Sequence, residues 1–195
     1  IETQYLNPKP NSPVFITETR DNDRFSKNYN GNLGIELFLN ESTSWTNSIN
    51  YRNSDGNNLE NVYYDNVYTD VSKNYTRTRI NDEDSENEDV EYKSSFQKKF
   101  KKEGHKLTAD LQFSSNIDNS SANIIDSENG TDNTINDQTR KRQLYQTDYV
   151  LPIGKDSRFE AGYRGNFQNN LTDFRVNENS VFTNLLEYKE NVNAF

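Results

Sequence analysis

The sequence predicts an all-β fold: about seven strands of an antiparallel up-and-down transmembrane β-barrel, with short periplasmic turns and long extracellular loops. Three observations lead there. Apolar and polar residues alternate with a period of two in short segments, the mark of a strand with one apolar and one polar face. The chain holds 12 Tyr, 11 Phe and one Trp although only 30% of it is hydrophobic, so the aromatics need a structural role. The connections alternate between short and long, the asymmetry of bacterial outer-membrane barrels.

In chain order, residues 1–28, with Pro8, Pro10 and Pro13, read as an outer loop, and residues 29–195 as the strands and loops of one barrel domain spanning 1–195. The first segment sets Leu33, Ile35, Leu37 and Leu39 against Gly34, Glu36, Phe38 and Asn40. After a turn at Asn40-Glu41-Ser42, the second sets Trp45, Asn47, Ile49 and Tyr51 against Thr46, Ser48, Asn50 and Arg52. The third carries Val90, Tyr92, Ser94, Phe96, Lys98 and Phe100 on one face and ends at Lys101-Lys102-Glu103-Gly104. Leu107, Ala109, Leu111 and Phe113 answer it in the fourth.

The fifth offers Tyr145, Thr147, Tyr149 and Leu151 and stops at Pro152-Ile153-Gly154-Lys155-Asp156, where Pro and Gly break the ladder. Phe159, Ala161, Tyr163, Gly165 and Phe167 form the sixth. The seventh sets Tyr188, Val192 and Ala194 against Glu187, Lys189, Asn191 and Asn193. Polar connections at 53–88, 116–139 and 168–185 alternate with the short turns. Trp45, Phe100 and Phe159 lie close to the short turns and Tyr51, Tyr92 and Phe167 toward the long connections, as two aromatic girdles would.

Composition removes several classes. No apolar run is long enough for a transmembrane helix, whereas barrel strands show lipid only every second residue. A net charge of −9 without a concentrated basic face argues against nucleic acid as a partner. Disorder is opposed by the aromatics. A soluble β-sandwich shares the alternation and stays open as a β-rich binding module.

The segments Gly31–Asn40 and Thr43–Arg52, then Asp148-Tyr149-Val150-Leu151-Pro152-Ile153-Gly154-Lys155 leading into Phe159–Arg164, and finally Glu187–Phe195, are similar to the outer-membrane β-barrel family of the Bacteroidetes, a branch of the TonB-dependent receptors. The resemblance spans most of residues 27–195. It implies a pore of about 22 strands closed by a plug domain, taking up a scarce ligand with TonB-type energy coupling. The partners it implies are outer-membrane lipid, the plug and surface lipoproteins or envelope-complex subunits. Neither a plug nor a TonB-contacting segment is visible in the sequence. Seven strands, and Phe195 falling with Glu187, Lys189, Asn191 and Asn193 rather than on the lipid face, read as part of a longer polypeptide. A barrel of the same fold serving as a non-transporting subunit of an envelope assembly or secretion complex reads alike.

Candidate sites are few, and no catalytic, cofactor or metal residues are assigned. The run Asn81–Asp89 supplies oxygen ligands but lacks the glycine and spacing of a calcium loop, and reads as a solvated loop whose charge blocks edge pairing. The stretch Asp118–Asp137 is a weaker version. His105 is the single histidine, without the partners of a triad or zinc site, so no enzyme is expected. Lys98, Lys99, Lys101 and Lys102 flank a short turn, a place to meet anionic lipid headgroups or a periplasmic partner, with snorkelling at the membrane edge the simpler explanation. Glu36, Lys93, Asp110, Asp148, Arg158, Glu160 and Arg164 form an inward set of both signs, suited to a plug or to water.

Overall fold

The computed structural model describes residues 2–6, 12–154, 156–177 and 181–194. These residues form one antiparallel sheet of eight strands in the order β1-β2-β3-β4-β5-β6-β7-β8, each paired with its neighbour in sequence. The strands are β1 (Glu2–Leu6), β2 (Phe15–Asn40), β3 (Thr43–Val67), β4 (Tyr75–Lys99), β5 (Lys106–Asp126), β6 (Gly130–Ile153), β7 (Ser157–Asn177) and β8 (Val181–Ala194). The seven predicted segments lie within β2 to β8, and β1 is additional. The meander is open: β1 and β8 are its two edges.

Register follows from which residues must share a face. Across β2 to β7, Ile35 aligns with Asn47, Ser94, Leu111, Tyr145 and Gly165 in one row. The row toward the short turns aligns Leu37, Trp45, Phe96, Ala109, Thr147 and Tyr163. These rows and their neighbours on the same face form an apolar band, whose members Leu33, Ile35, Trp45, Ile49, Leu111 and Phe159 are exposed to the surroundings. Among the described residues Val62 is the one buried hydrophobic side chain, so the sheet has no second layer beneath it. Its apolar face is satisfied by lipid rather than by a protein core.

Length is the main departure from expectation. β2 to β7 run 21 to 26 residues, about 70–85 Å at ~3.3 Å per residue, whereas a tilted strand crosses a bilayer in about 9–11 residues. The long polar connections therefore continue as β-hairpins: 53–67 belongs to β3, 75–88 to β4, 116–126 to β5 and 130–139 to β6. What joins them is short, residues 68–74 with a 3-10 turn at Val71–Lys73, and residues 127–129. The outer loop assigned to residues 1–28 is likewise corrected, since β2 starts at Phe15 and is led in by β1. The physical reason is common to all: a strand wet on both faces has no apolar alternation, yet its backbone ladder continues from the membrane half.

At the short-turn end, a register shift between Phe38 and Asn40 marks a bulge before the turn at 41–42. Gly104 and Gly154 take positive φ (75° each) in the turns after β4 and β6. In β8 the face assignment is overturned. Asn191 aligns with Phe167 and Asn193 with Gly165, whereas Val192 aligns with Asn166 and Tyr188 with Asn170. β8 runs beside Arg164–Asn177 of β7, so it reaches only the upper margin of the apolar band at Gly165 and Phe167 and lies mostly beside the polar half of the strand. Pro8, Pro10, Lys155 and Phe195, on which other expectations rested, lie outside the described residues.

Candidate functional site

The polar face opposite the lipid-facing band gathers the predicted inward set. Glu36 shares a row with Asp110 and Arg164, and Lys93, Asp148, Arg158 and Glu160 fall on the same face. Many of its charges are met locally. Lys93 pairs with Glu91 at 2.6 Å and Arg158 with Glu160 at 2.9 Å. Ser95 donates to Asp110 at 2.5 Å, Gln112 to Glu91 at 2.5 Å and Gln146 to Asp148 at 2.8 Å. Gly162 makes room for Asp148, because a Cβ there would stand 2.7 Å from its carboxylate oxygen. The result is a wall of alternating donors and acceptors that water wets.

On the opposite face, aromatics cross the strands at the top of the apolar band. Tyr92 stacks near Phe113 (6.4 Å), Phe113 meets Tyr145 edge-on (5.8 Å), and Tyr145 meets Phe167 (5.9 Å). Near the short turns Phe100, His105 and Tyr149 form a second cluster, His105 stacked on Phe100 at 4.0 Å and its Nε2 2.9 Å from the Tyr149 hydroxyl. Tyr92 in β4 and Phe100 just past its end are eight residues apart, about 26 Å along the chain, comparable to the ~25 Å apolar band between girdles. His105 is thus an interfacial ring held between two aromatics.

The acidic run Asn81–Asp89 is not an edge-blocking loop. It lies in β4, paired to β3 on one side and β5 on the other, so its charge protects no edge. Asp82, Asp84, Glu86 and Glu88 share one face, and Asn57 donates to Asp82 (3.1 Å) and Asp84 (3.0 Å). Among the described residues no group of three or more His, Asp or Glu side chains is placed to hold a metal ion.

Sequence reasoning missed a clamp joining two hairpin tips. Arg77 of β4 lies over the Tyr64 ring (4.3 Å) and reaches Asp126 (3.6 Å) and Glu128 (3.7 Å) at the next tip. Between the same tips, Ser127 N–H donates to the Thr78 carbonyl (2.9 Å) and Thr78 N–H to the Ser127 hydroxyl (3.0 Å). Asp126 accepts from the backbone N–H of Glu128 (2.9 Å) and Asn129 (3.2 Å). Burial pushes its carboxyl pKa up, but these donors and Arg77 outweigh burial and hold it below the usual carboxylate value. The one legible signal was Asp126 ahead of Gly130, a turn pattern.

An up-and-down sheet with a lipid-facing apolar band, aromatics at both of its margins and a wetted opposite face defines the wall of a transmembrane β-barrel. Residues 98–195 match the outer membrane protein beta-barrel family, and the chain belongs to that family. No curated protein matches the chain.

Proposed function

We propose that this chain forms part of the wall of an outer-membrane receptor that takes up a scarce solute, with its short turns in the periplasm and its long hairpins outside the cell. The carrying observation is the length of β2 to β7. Their polar halves continue some 40 Å past the apolar band as a hydrogen-bonded wall, which suits an external vestibule leading into the pore. The wall's wetted face carries both signs of charge, including Arg52, Asp89, Asp118 and Arg140, so a polar solute meets complementary groups along its length. Energy coupling of the TonB type and a plug belong to the same proposal, as the resemblance to TonB-dependent receptors implies.

The test compares spent medium from cells with and without the full polypeptide, each energised and each treated with a protonophore. Uptake predicts at least one solute depleted only by energised cells that carry the protein. Identical depletion in all four cultures overturns the receptor reading and leaves a structural barrel subunit of an envelope complex.

A further inference from the structure

The β4–β5 hairpin reverses the electrostatics of the rest of the molecule. In a chain of net charge −9, residues 98–106 hold five lysines, Lys98, Lys99, Lys101, Lys102 and Lys106, against the single Glu103. Lys99 and Lys106 are direct cross-strand partners on the polar face, two like charges that raise the positive potential of the turn. Among the described residues none of the five forms an ion pair. Lys102 is engaged otherwise, donating to the Pro152 carbonyl at 2.7 Å and tying this turn to the end of β6. The turn after β2 carries only Glu41, and the turn after β6 mixes Lys155 and Asp156, so the greatest concentration of positive charge lies in the middle hairpin.

The same hairpin carries the lower aromatic cluster. Lys98 belongs to the lipid-facing set, opposite Leu107, and its ammonium sits 5.8 Å from the Phe100 ring centre. Phe100, His105 and Tyr149 continue the apolar face down to the turn. Lys101 is exposed at the turn itself. A cationic rim directly below an aromatic and aliphatic surface has the polarity of a phospholipid, phosphate outward and glycerol and acyl chains inward.

We propose that the β4–β5 hairpin binds an anionic phospholipid of the adjoining leaflet, its phosphate held by Lys98 and Lys101 and its glycerol and upper acyl chain laid on Phe100, His105 and Tyr149. The site requires only that the short-turn rim lie at the membrane surface, and it serves a transporting and a structural barrel alike. Snorkelling alone gives each lysine a place but predicts no preference between lipids.

The test is native mass spectrometry of the full polypeptide released from nanodiscs of equal phosphatidylglycerol and phosphatidylcholine. Retained phosphatidylglycerol is expected on the parent protein. Retention falls about fivefold per charge removed in Lys98→Gln and Lys101→Gln. It rises in Glu103→Gln, a variant that removes the opposing charge and so reads the effect in the other direction. Lys73→Gln and Lys141→Gln make the same charge change away from this rim and leave it unchanged. Equal retention of the two lipids, or equal losses in the Lys73 and Lys141 controls, overturns the proposal.

Discussion

The indole N–H of Trp45 donates to the Ser94 hydroxyl across β3 and β4 at 2.8 Å, on the face turned to lipid. Its neighbour repeats the device, Tyr92 donating its hydroxyl proton to Asn47 at 2.7 Å. Asn47 and Ser94 are themselves cross-strand partners, two polar side chains in an apolar band. Each accepts a hydrogen bond from an aromatic side chain, so the acceptor oxygens of both are satisfied within the apolar band.

Trp45→Phe is accordingly expected to destabilise the folded barrel by about 1 kcal/mol beyond lost packing, because the Ser94 hydroxyl loses its donor. Ser94→Ala on that background should recover most of it. A double-mutant cycle on urea midpoints in lipid vesicles measures the coupling, and additive effects would show that the hydrogen bond contributes nothing.

The boundary between membrane and extension is testable on a single strand. Leu111 of β5 lies in the band beside Ser94 and Tyr145, one row below its upper aromatic margin, and Leu111→Arg is expected to cost about 1–2 kcal/mol, between the midplane and interface values. Asn119, eight residues further on the same face, aligns with Glu86 and Asp137. Asn119→Arg should therefore be neutral or stabilise by about 0.2–1 kcal/mol. Equal costs at the two sites in vesicle unfolding would put lipid along the whole strand.

The contrast between these two positions also explains what was legible in the sequence. Alternation exists where one face meets lipid and the other meets water, so Leu107, Leu111 and Phe113 announced their strand and its register. Asn119, Ser121 and Asn123 are equally regular but wet on both sides, and nothing in their polarity separates them from a loop. The inward set from Glu36 to Arg164 was readable for the same reason, as the complement of the apolar set. The clamp of Arg77 and Asp126 was not, because it joins residues 49 positions apart through a register that only the three-dimensional pairing supplies. β8 was misread because Tyr188 and Val192 imitate a lipid face, although the register places Val192 beside Asn166 on the polar face and Tyr188 beside the polar half of β7.

Asp126 makes the joined hairpin tips sensitive to acid. Its carboxyl titrates below the ordinary value, so the folded tip prefers the carboxylate. The contribution is full above the unfolded pKa of about 3.9 and is lost as pH falls through the lower folded value. Hydrogen exchange at the Ser127 and Thr78 amides should accelerate below about pH 4, after correction for intrinsic rates. Asp126→Asn should bring much of that acceleration, about tenfold, to neutral pH. Protection unchanged by either treatment would remove Asp126 from the clamp.

The strongest test of the fold lies in β3, at residues first read as a loop. β3 is bounded by β2 and β4 along its length, so its backbone N–H groups pair on one side or the other. Asn58 aligns with Arg24 on one side and Glu83 on the other, and a proline there removes a ladder bond and distorts both partners. The expected cost of Asn58→Pro is about 3 kcal/mol, with exchange protection lost from flanking β2 and β4 amides as well as from β3. Val71 opens the 3-10 turn at the same hairpin's tip, where a proline sacrifices no ladder bond, and Val71→Pro should leave that protection intact. If Asn58→Pro proves as mild as Val71→Pro, residues 53–67 are a mobile loop and the external wall does not exist. If it unzips both neighbours, the polar half of the sheet is a cooperative structure whose order originates in the membrane band below it.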